Sequence, residues 1–565
     1  MKVIGQNFYL KITGETEIEN TVIDSLSYNQ SHIDFNSIKA EVNMLQQKLF
    51  QIGYIENEVK PLIKENDSSY LSFFQLKKRY VDIHIYYNEK IVPRNIIEKV
   101  THQINDNYFI LPFTDLEKSL YTLNSKISDL GFPFNKIQLQ NITIKNNTTL
   151  KANLTSVTNT EKRSIDKIII KGYEKFPKAY LKHYLKLKTN TTFNLSEIKE
   201  KTEALNDLRF ANKIKDPEVL FTKDSTILYM YIEKAKSNNF DGFLGFGTNE
   251  STNKIDFNGY LNLNLNNNLN AGESFNLIYK SDESEQKTFN ANLNIPYLFS
   301  SPVGTEVGLQ ILKKDSSYTN VNQVAKLYYQ INPQTNIYLG IKNTNSNNLL
   351  SDDNAISEIQ DYKSNMYTLK FSYSKLQNNY LFNRNLFLAF EIGNGKRKYL
   401  NNSENQTSLF IDAFKIFNLN QKNSAYIRLN ASSLISENYL ENELFLFGGI
   451  NSIRGFEENS LNASMYGLVN TEYRYQLSNS LYIHSIIDFS YFENKLTIQK
   501  EKLYGFGFGF GLLTKAGLLK FNYANGKNEN QKFKFSNSKI HLSLTAIFWV
   551  ISKLKSITLK KNSKF

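Results

Sequence analysis

At 565 residues with a mean hydropathy of −0.43, the chain exceeds one ordinary domain and is too polar for a bundle of membrane helices; no stretch approaches the roughly 18 to 20 apolar residues of a spanning helix, so membrane insertion is open only to a closed barrel. The absence of cysteine removes disulfides, thiol nucleophiles and thiolate metal sites, and the six histidines (His32, His84, His102, His183, His484, His541) offer no pair three or four residues apart, so neither metal nor cofactor is expected. A net charge of +13 spread through every segment speaks against a nucleic-acid patch and suits a surface facing anionic lipid.

The N-terminal Met1-Lys2-Val3-Ile4-Gly5-Gln6-Asn7 lacks the apolar core of a secretory signal, so the expectation is a signal already removed or a misplaced chain start. Helical patterns then end at Gly53-Tyr54, Gly131-Phe132 and Arg209-Phe210, at a spacing of 78 residues each time. That period marks three repeats, expected over 1–79, 80–160 and 161–236, each ordered as a strand, two helices and two strands. In the first, a strand is expected over Phe8 to Thr13, a helix over Asp34 to Ile52, and strands near Val59 to Ile63 and Tyr70 to Leu76. In the third, Pro177 is expected to open a helix carrying Tyr180, Leu181, Tyr184 and Leu185, and Ser196 to cap a second one. An open sheet edge on such modules accepts an extended peptide through backbone hydrogen bonds that ignore most side chains.

From 237 to 550 the helical period gives way to a period of two. About 16 strands of roughly ten residues alternate with turn clusters, followed by a basic tail over 551–565. Tyr 35 and Phe 40 against Trp 1 and Pro 9 suit strands and interfacial aromatic girdles. On the twelfth expected strand Val469, Thr471, Tyr473, Tyr475 and Leu477 share one face, and Asn470, Glu472, Arg474 and Gln476 the other, as a lipid-out, water-in wall requires. Gly505 to Gly511 alternates glycine with phenylalanine on a strand, with no following helix to bind phosphate. Long connections at 345–360, 437–465 and 528–538 fall on one end of the barrel and short turns such as Ser478-Asn479-Ser480 and Lys515-Ala516 on the other.

The most informative segment is Gly448-Gly449-Ile450-Asn451-Ser452-Ile453-Arg454-Gly455-Phe456, which puts an arginine in a glycine-bearing loop between the eleventh and twelfth strands. The lumen is the least costly place for that cation, and Asp488, the only acid in Tyr482 to Ser490, is the candidate partner. From these residues alone, a solvated arginine and a solvated aspartate remain the alternative. No G-x-S-x-G elbow, phosphate loop or paired catalytic carboxylates can be picked out, so no enzyme is expected.

Three POTRA-like (polypeptide-transport-associated) units before a 16-strand barrel whose sixth outer loop carries Ile453-Arg454-Gly455-Phe456 resemble the BamA/TamA superfamily of outer-membrane assembly and transport factors. The resemblance implies that Arg454 enters the lumen and meets Asp488 of an F-x-D-x-G motif on the thirteenth strand, here altered to Ile486 and Ser490. It maps Glu472 and Arg474 onto an inward E-x-R pair, and Gly511 to Tyr523 onto a terminal strand pattern. It also implies a lateral seam between the first strand, loosened by Gly242, Gly245 and Gly247, and the last, with Ile540, Leu542 and Leu544. Unfolded outer-membrane clients, outer-membrane lipid and an elongated TamB-like periplasmic partner are the implied company, three repeats favouring a TamA-like factor. The repeats would lie in the periplasm of a Gram-negative-type cell. A two-partner-secretion-type polypeptide transporter and a diffusion pore or surface adhesin are the rival expectations.

Overall fold

The computed structural model describes residues 7–156, 161–249, 254–281, 286–350, 358–379, 381–514, 517–529 and 538–548. The first six residues and the basic tail at 551–565 lie outside them. The chain forms two compact units, one of residues 1–168, 189–199 and 219–228, the other of 169–188, 200–218 and 229–565.

In the first repeat a strand, Phe8–Gly14, leads into helix Glu17–Ser25, opened by Thr16 and Glu19 in a reciprocal capping box. Helix Phe35–Gln51 is opened by Asp34, whose carboxylate accepts from Ser37 N at 2.7 Å. Ile38, Val42, Leu45 and Leu49 recur at helical spacing and bury against Leu10, Ile12 and Phe74 of the sheet. The second repeat departs from the expected order. Its first helix is a single turn, Arg94–Ile97, and an additional strand, Tyr108–Pro112, pairs antiparallel with Asp82–Tyr86 before helix Leu116–Asp129. Period two wins there because Phe109 and Leu111 alternate with half-buried neighbours and enter the core with Ile83 and Ile85.

The third repeat differs in two details. The helix after Pro177 widens into a π-turn over Tyr180–Tyr184, with Leu185 N donating to Tyr180 O at 2.9 Å. Helix Leu195–Glu203 is capped by Asn194, whose Oδ1 accepts from Glu197 N at 2.8 Å, and Ser196 lies inside the first turn. The expected cap, Ser196, is thus corrected to Asn194: asparagine and serine are equally good caps, and the helix starts before Ser196. Strands Lys167–Gly172, Thr226–Lys234 and Ala211–Phe221 form its sheet in that order.

A closed, wholly antiparallel barrel of sixteen strands follows: Asn238–Asn249, Lys254–Asn266, Ser274–Ser281, Lys287–Ile295, Val303–Lys314, Tyr318–Asn332, Thr335–Asn348, Tyr362–Leu376, Arg384–Tyr399, Asn402–Asn418, Asn423–Ile435, Met465–Gln476, Leu481–Asn494, Gln499–Leu513, Gly517–Asn528 and Ser538–Phe548. Alternation decides the facing. Ile337, Leu339 and Ile341, then Leu388, Phe390 and Ile392, are exposed on the outer surface, while residues between them turn inward. Phe506 and Phe508 follow the same rule, with Gly505 and Gly509 buried on the lumen side. The loop after the eleventh strand is not wholly irregular: a short hairpin, Phe445–Phe447 with Leu461–Ala463, brackets the glycine-bearing segment.

Candidate functional site

One cross-strand row organises the lumen. Asn470 of the twelfth strand is the register partner of Asp488 of the thirteenth, Asp488 of Gly505 on the fourteenth, and Gly505 of Gly526 on the fifteenth. Loop residues 452–455 lie along that row. Asn470 Nδ2 donates to Ser452 O at 2.8 Å. Asp488 receives three bonds from Arg454: backbone N at 3.0 Å, Nε at 2.8 Å and Nη2 at 2.6 Å. Gly505 and Gly526 leave room for the loop backbone, since a Cβ on either would sit 2.3 Å from Arg454 O and 2.6 Å from Gly455 O respectively. Gly455 itself has φ +94° and meets Gly526 N, so both sides of this contact require glycine.

The charges close on one another. Arg454 is 5% exposed and Asp488 1%. Arg454 Nη1 also bonds Glu472 Oε1, and Glu472 Oε2 accepts from Arg474 at 2.7 Å. Arg474 in turn lies 4.1 Å from the Tyr426 ring centre and 4.5 Å from that of Phe382. Two arginines and two carboxylates thus neutralise each other inside the wall, the condition under which buried charge is tolerated. Ile453 has no exposed surface and packs with Phe447, Ala463, Phe492 and Leu503, with Phe456 at the edge of that cluster. The departures from the thirteenth-strand motif are both inward: Ile486 is buried, and Ser490 Oγ donates to Gly467 O at 3.1 Å.

At the seam the ladder is short. The first strand pairs with the second over eleven residue pairs, and the last strand with the fifteenth over nine. Among the described residues, first and last pair with each other over four only, Asn238 to Asp241 against Phe548 to Thr545. Among the described residues, 242–249 and 538–544 are paired on one side alone. At Gly242, φ is +140° and a Cβ would sit 2.1 Å from Tyr260 O, so this glycine serves a close approach to the second strand. Ile540 is 66% exposed. The backbones of Gly245, Gly247, Leu542 and Leu544 are described, and the surroundings of the two leucine side chains lie outside the described residues.

Sequence reasoning missed two features. One is a second buried ion cluster around Arg397, Glu404 and Glu443. Its signal was present, since Arg397 shares the inward parity of Gly393 and Gly395. The other is an aromatic joint between the π-turn and two barrel turns. Tyr173 OH donates to Asn270 Oδ1 at 2.6 Å, Tyr180 OH donates to Gly272 O at 3.2 Å, and His183 Nε2 bonds Ser300 O at 2.8 Å. Tyr180 and Tyr297 meet edge to face at 4.9 Å.

The chain thus joins α+β repeats to a closed sixteen-strand barrel with an inward loop that Arg454 fastens. Residues 263–540 match the family model of the Omp85 superfamily domain, and residues 164–235 that of the surface antigen variable number repeat, the POTRA module. The chain belongs to the Omp85 superfamily. Its fold is similar to that of BamA from Haemophilus ducreyi lacking POTRA domains 1–3, at 14% identity over 82% of this chain and 99% of that one, with a TM-score of 0.51. It is also similar to CdiB from Acinetobacter baumannii, at 16% identity over 91% of this chain and 97% of that one, with a TM-score of 0.50. No curated protein matches the chain in sequence. Omp85 proteins are assembly and transport factors that handle unfolded clients and are not enzymes. Membership and the sixteen-strand barrel point to the bacterial outer membrane and to a role in insertion or translocation there.

Proposed function

We propose that the protein receives unfolded clients on the sheet edges of its periplasmic repeats and templates their insertion at the seam between the first and last barrel strands. The four-pair seam carries this reading. Residues 242–249 and 538–544 present backbone donors and acceptors that neighbouring strands do not take up across the gap, and an incoming strand satisfies such groups through backbone hydrogen bonds. Lipid-facing client side chains then reach the bilayer without crossing the lumen.

The repeats differ in the edges they offer. In the first, the free edge of Phe8–Gly14 is already occupied: Leu10 N donates to Gln30 O at 2.8 Å, Ile12 N to Tyr28 OH at 3.0 Å and Gly14 N to Asn20 Oδ1 at 2.8 Å. In the second, strand Ile137–Ile144 pairs with Thr149–Ser156 on one side only and exposes Ile142 and Ile144. A bulge after Gln140 breaks this edge into short registers, which suits weak, transient capture. We therefore assign client reception to the second repeat. The number of repeats supports a TamA-like factor with an elongated TamB-like periplasmic partner, and the lysine-rich surface supports contact with anionic outer-membrane lipid.

A route through the lumen, as a two-partner-secretion-type transporter or a diffusion pore needs, requires withdrawal of the loop that Arg454 fastens at 5% exposure. Quantitative proteomics of outer-membrane fractions after depletion tests the proposal. Loss of barrel proteins supports insertion, broad loss indicating a BamA-like insertase and a narrow set a TamA-like one; an unchanged barrel population together with lost secretion of one large polypeptide overturns it.

A further inference from the structure

The loop between the eleventh and twelfth strands is fastened at a second place, far in sequence from Arg454. Arg397 sits on the inward face of the ninth strand with no exposed side-chain surface. Its guanidinium lies between two carboxylates: Glu404 of the tenth strand, at 2.5 Å from Nη2, and Glu443 of the loop, bonded to Nη1. Nη2 also donates to Asn438 O at 3.3 Å, and the Tyr399 ring centre lies 4.5 Å from the guanidinium carbon. Both acids are satisfied beyond the arginine. Glu404 accepts from Tyr399 OH at 3.0 Å and Asn438 Nδ2 at 2.8 Å, and Glu443 from Gln406 Nε2 and Leu440 N at 2.9 Å each.

The neighbouring Asn442, also without exposed surface, extends the attachment. Its Nδ2 donates to Ser346 Oγ at 2.6 Å and Gln360 O at 2.8 Å, and its carbonyl accepts from Asn320 Nδ2 at 2.6 Å. Residues 438–443 are therefore tied to the sixth, seventh, ninth and tenth strands and to the segment before the eighth. Residues 452–455 are tied to the twelfth through fifteenth. Beyond these points, Glu457 pairs with Lys539 of the last strand at 2.7 Å, Glu458 with Lys280 of the third at 3.5 Å, and Asn462 with Lys314 of the fifth at 3.5 Å. The two buried attachments mirror each other: at one the loop supplies the cation and the wall the acid, at the other the wall supplies the cation and the loop an acid.

We propose that Arg397, Glu404 and Glu443 form a second clasp that positions this loop as a lid across the outer mouth, independently of Arg454. Burial makes the clasp decisive. Removing the cation leaves two carboxylates facing each other out of water, and the loop segment must lift to hydrate Glu443. For the insertion reading proposed above, on which this consequence rests, a lid held at both ends leaves the seam as the exit for a client.

The test uses the full chain, whose lack of cysteine makes single reporter thiols unique. Leu440→Cys and Ile453→Cys report on the two attachments, both positions being buried. In proteoliposomes, Arg397→Met and Glu443→Gln are each expected to raise the labelling rate of Leu440→Cys by a charged maleimide about tenfold or more, to leave Ile453→Cys protected, and to raise planar-bilayer conductance. Arg397→Lys is expected to restore partial protection. Glu443→Gln alters the loop alone, so the test survives if Arg397→Met does not fold, and the heat-modifiable gel mobility of the folded barrel is the control. Unchanged labelling and conductance in both folded variants overturn the clasp, and equal unmasking of Ile453→Cys overturns its independence. Client insertion is measured separately: leak with insertion lost to seam locking keeps both proposals, and leak with insertion indifferent to seam locking retains the clasp while removing the insertion reading.

Discussion

Replacing Arg454 by methionine keeps most of the side-chain volume and removes the cation. Asp488, 1% exposed, then keeps only the backbone N–H of residue 454 and loses the bonds from Nε and Nη2, at 2.8 and 2.6 Å. Stranding a buried carboxylate in this way costs about 3–5 kcal/mol. Glu472 is not stranded, because Arg474 still holds its Oε2 at 2.7 Å, so the loss stays local to Asp488. Asp488→Leu falls toward the lower end of the same range, since Arg454 retains Glu472. The double variant Arg454→Met with Asp488→Leu leaves neither partner stranded and is expected to recover about 1–3 kcal/mol relative to the sum of the singles. Urea unfolding of the inserted barrel, followed by circular dichroism in lipid vesicles, measures all three. Strictly additive losses would refute the reasoning, because they would mean that the arginine and the aspartate do not depend on each other.

Three further outcomes are expected. Gly505→Ala, whose Cβ would sit 2.3 Å from Arg454 O, should cost about 1–3 kcal/mol and expose the loop to protease; unchanged stability and protection would remove the close-approach argument. Asn194→Ala should destabilise helix Leu195–Glu203 by about 1 kcal/mol while Ser196→Ala has little effect, read by hydrogen exchange over that helix. In the second repeat, burial and then the nearby Lys145 hold the His84 imidazole below its ordinary range, and the neutral ring stacks on Tyr108. A base depressed in the folded state contributes stability above its unfolded pKa of about 6.5, lost as pH falls through that value. Protection factors over Asp82–Tyr86, corrected for the pH dependence of intrinsic exchange, should therefore fall between roughly pH 7 and 5, and an identical pH response in His84→Gln would exclude this histidine as the cause.

Much of the fold was legible because barrel strands obey a period of two that no tertiary contact overrides. The segment Tyr482 to Ser490, where the partner acid was expected, lies wholly within the thirteenth strand, Leu481–Asn494. The meeting of Arg454 and Asp488 was legible for an energetic reason: each is a charge that the lumen tolerates only if paired. Arg397 obeys the same logic, but it stands between Lys396 and Lys398, so nothing in its immediate sequence sets it apart from the neighbouring cations. Glu443 sits 46 residues away in an irregular loop, so no local spacing announced it. The additional strand Tyr108–Pro112 was hidden by the expectation of identical repeats. The four-pair seam joins strands from opposite ends of the barrel domain, and a register between segments so far apart leaves no trace in either one.

On the function proposed above, clients enter the membrane at that seam. Phe240 and Ala546 are register partners across it, so cysteines at these positions place a disulfide between the first and last strands of a chain that otherwise has none. Insertion of an unfolded barrel client into proteoliposomes should fall to background when the disulfide forms and return on reduction, while a pair at Phe275 and Leu293, partners on adjacent non-seam strands, should have no effect. Undiminished insertion with the seam locked would contradict the account.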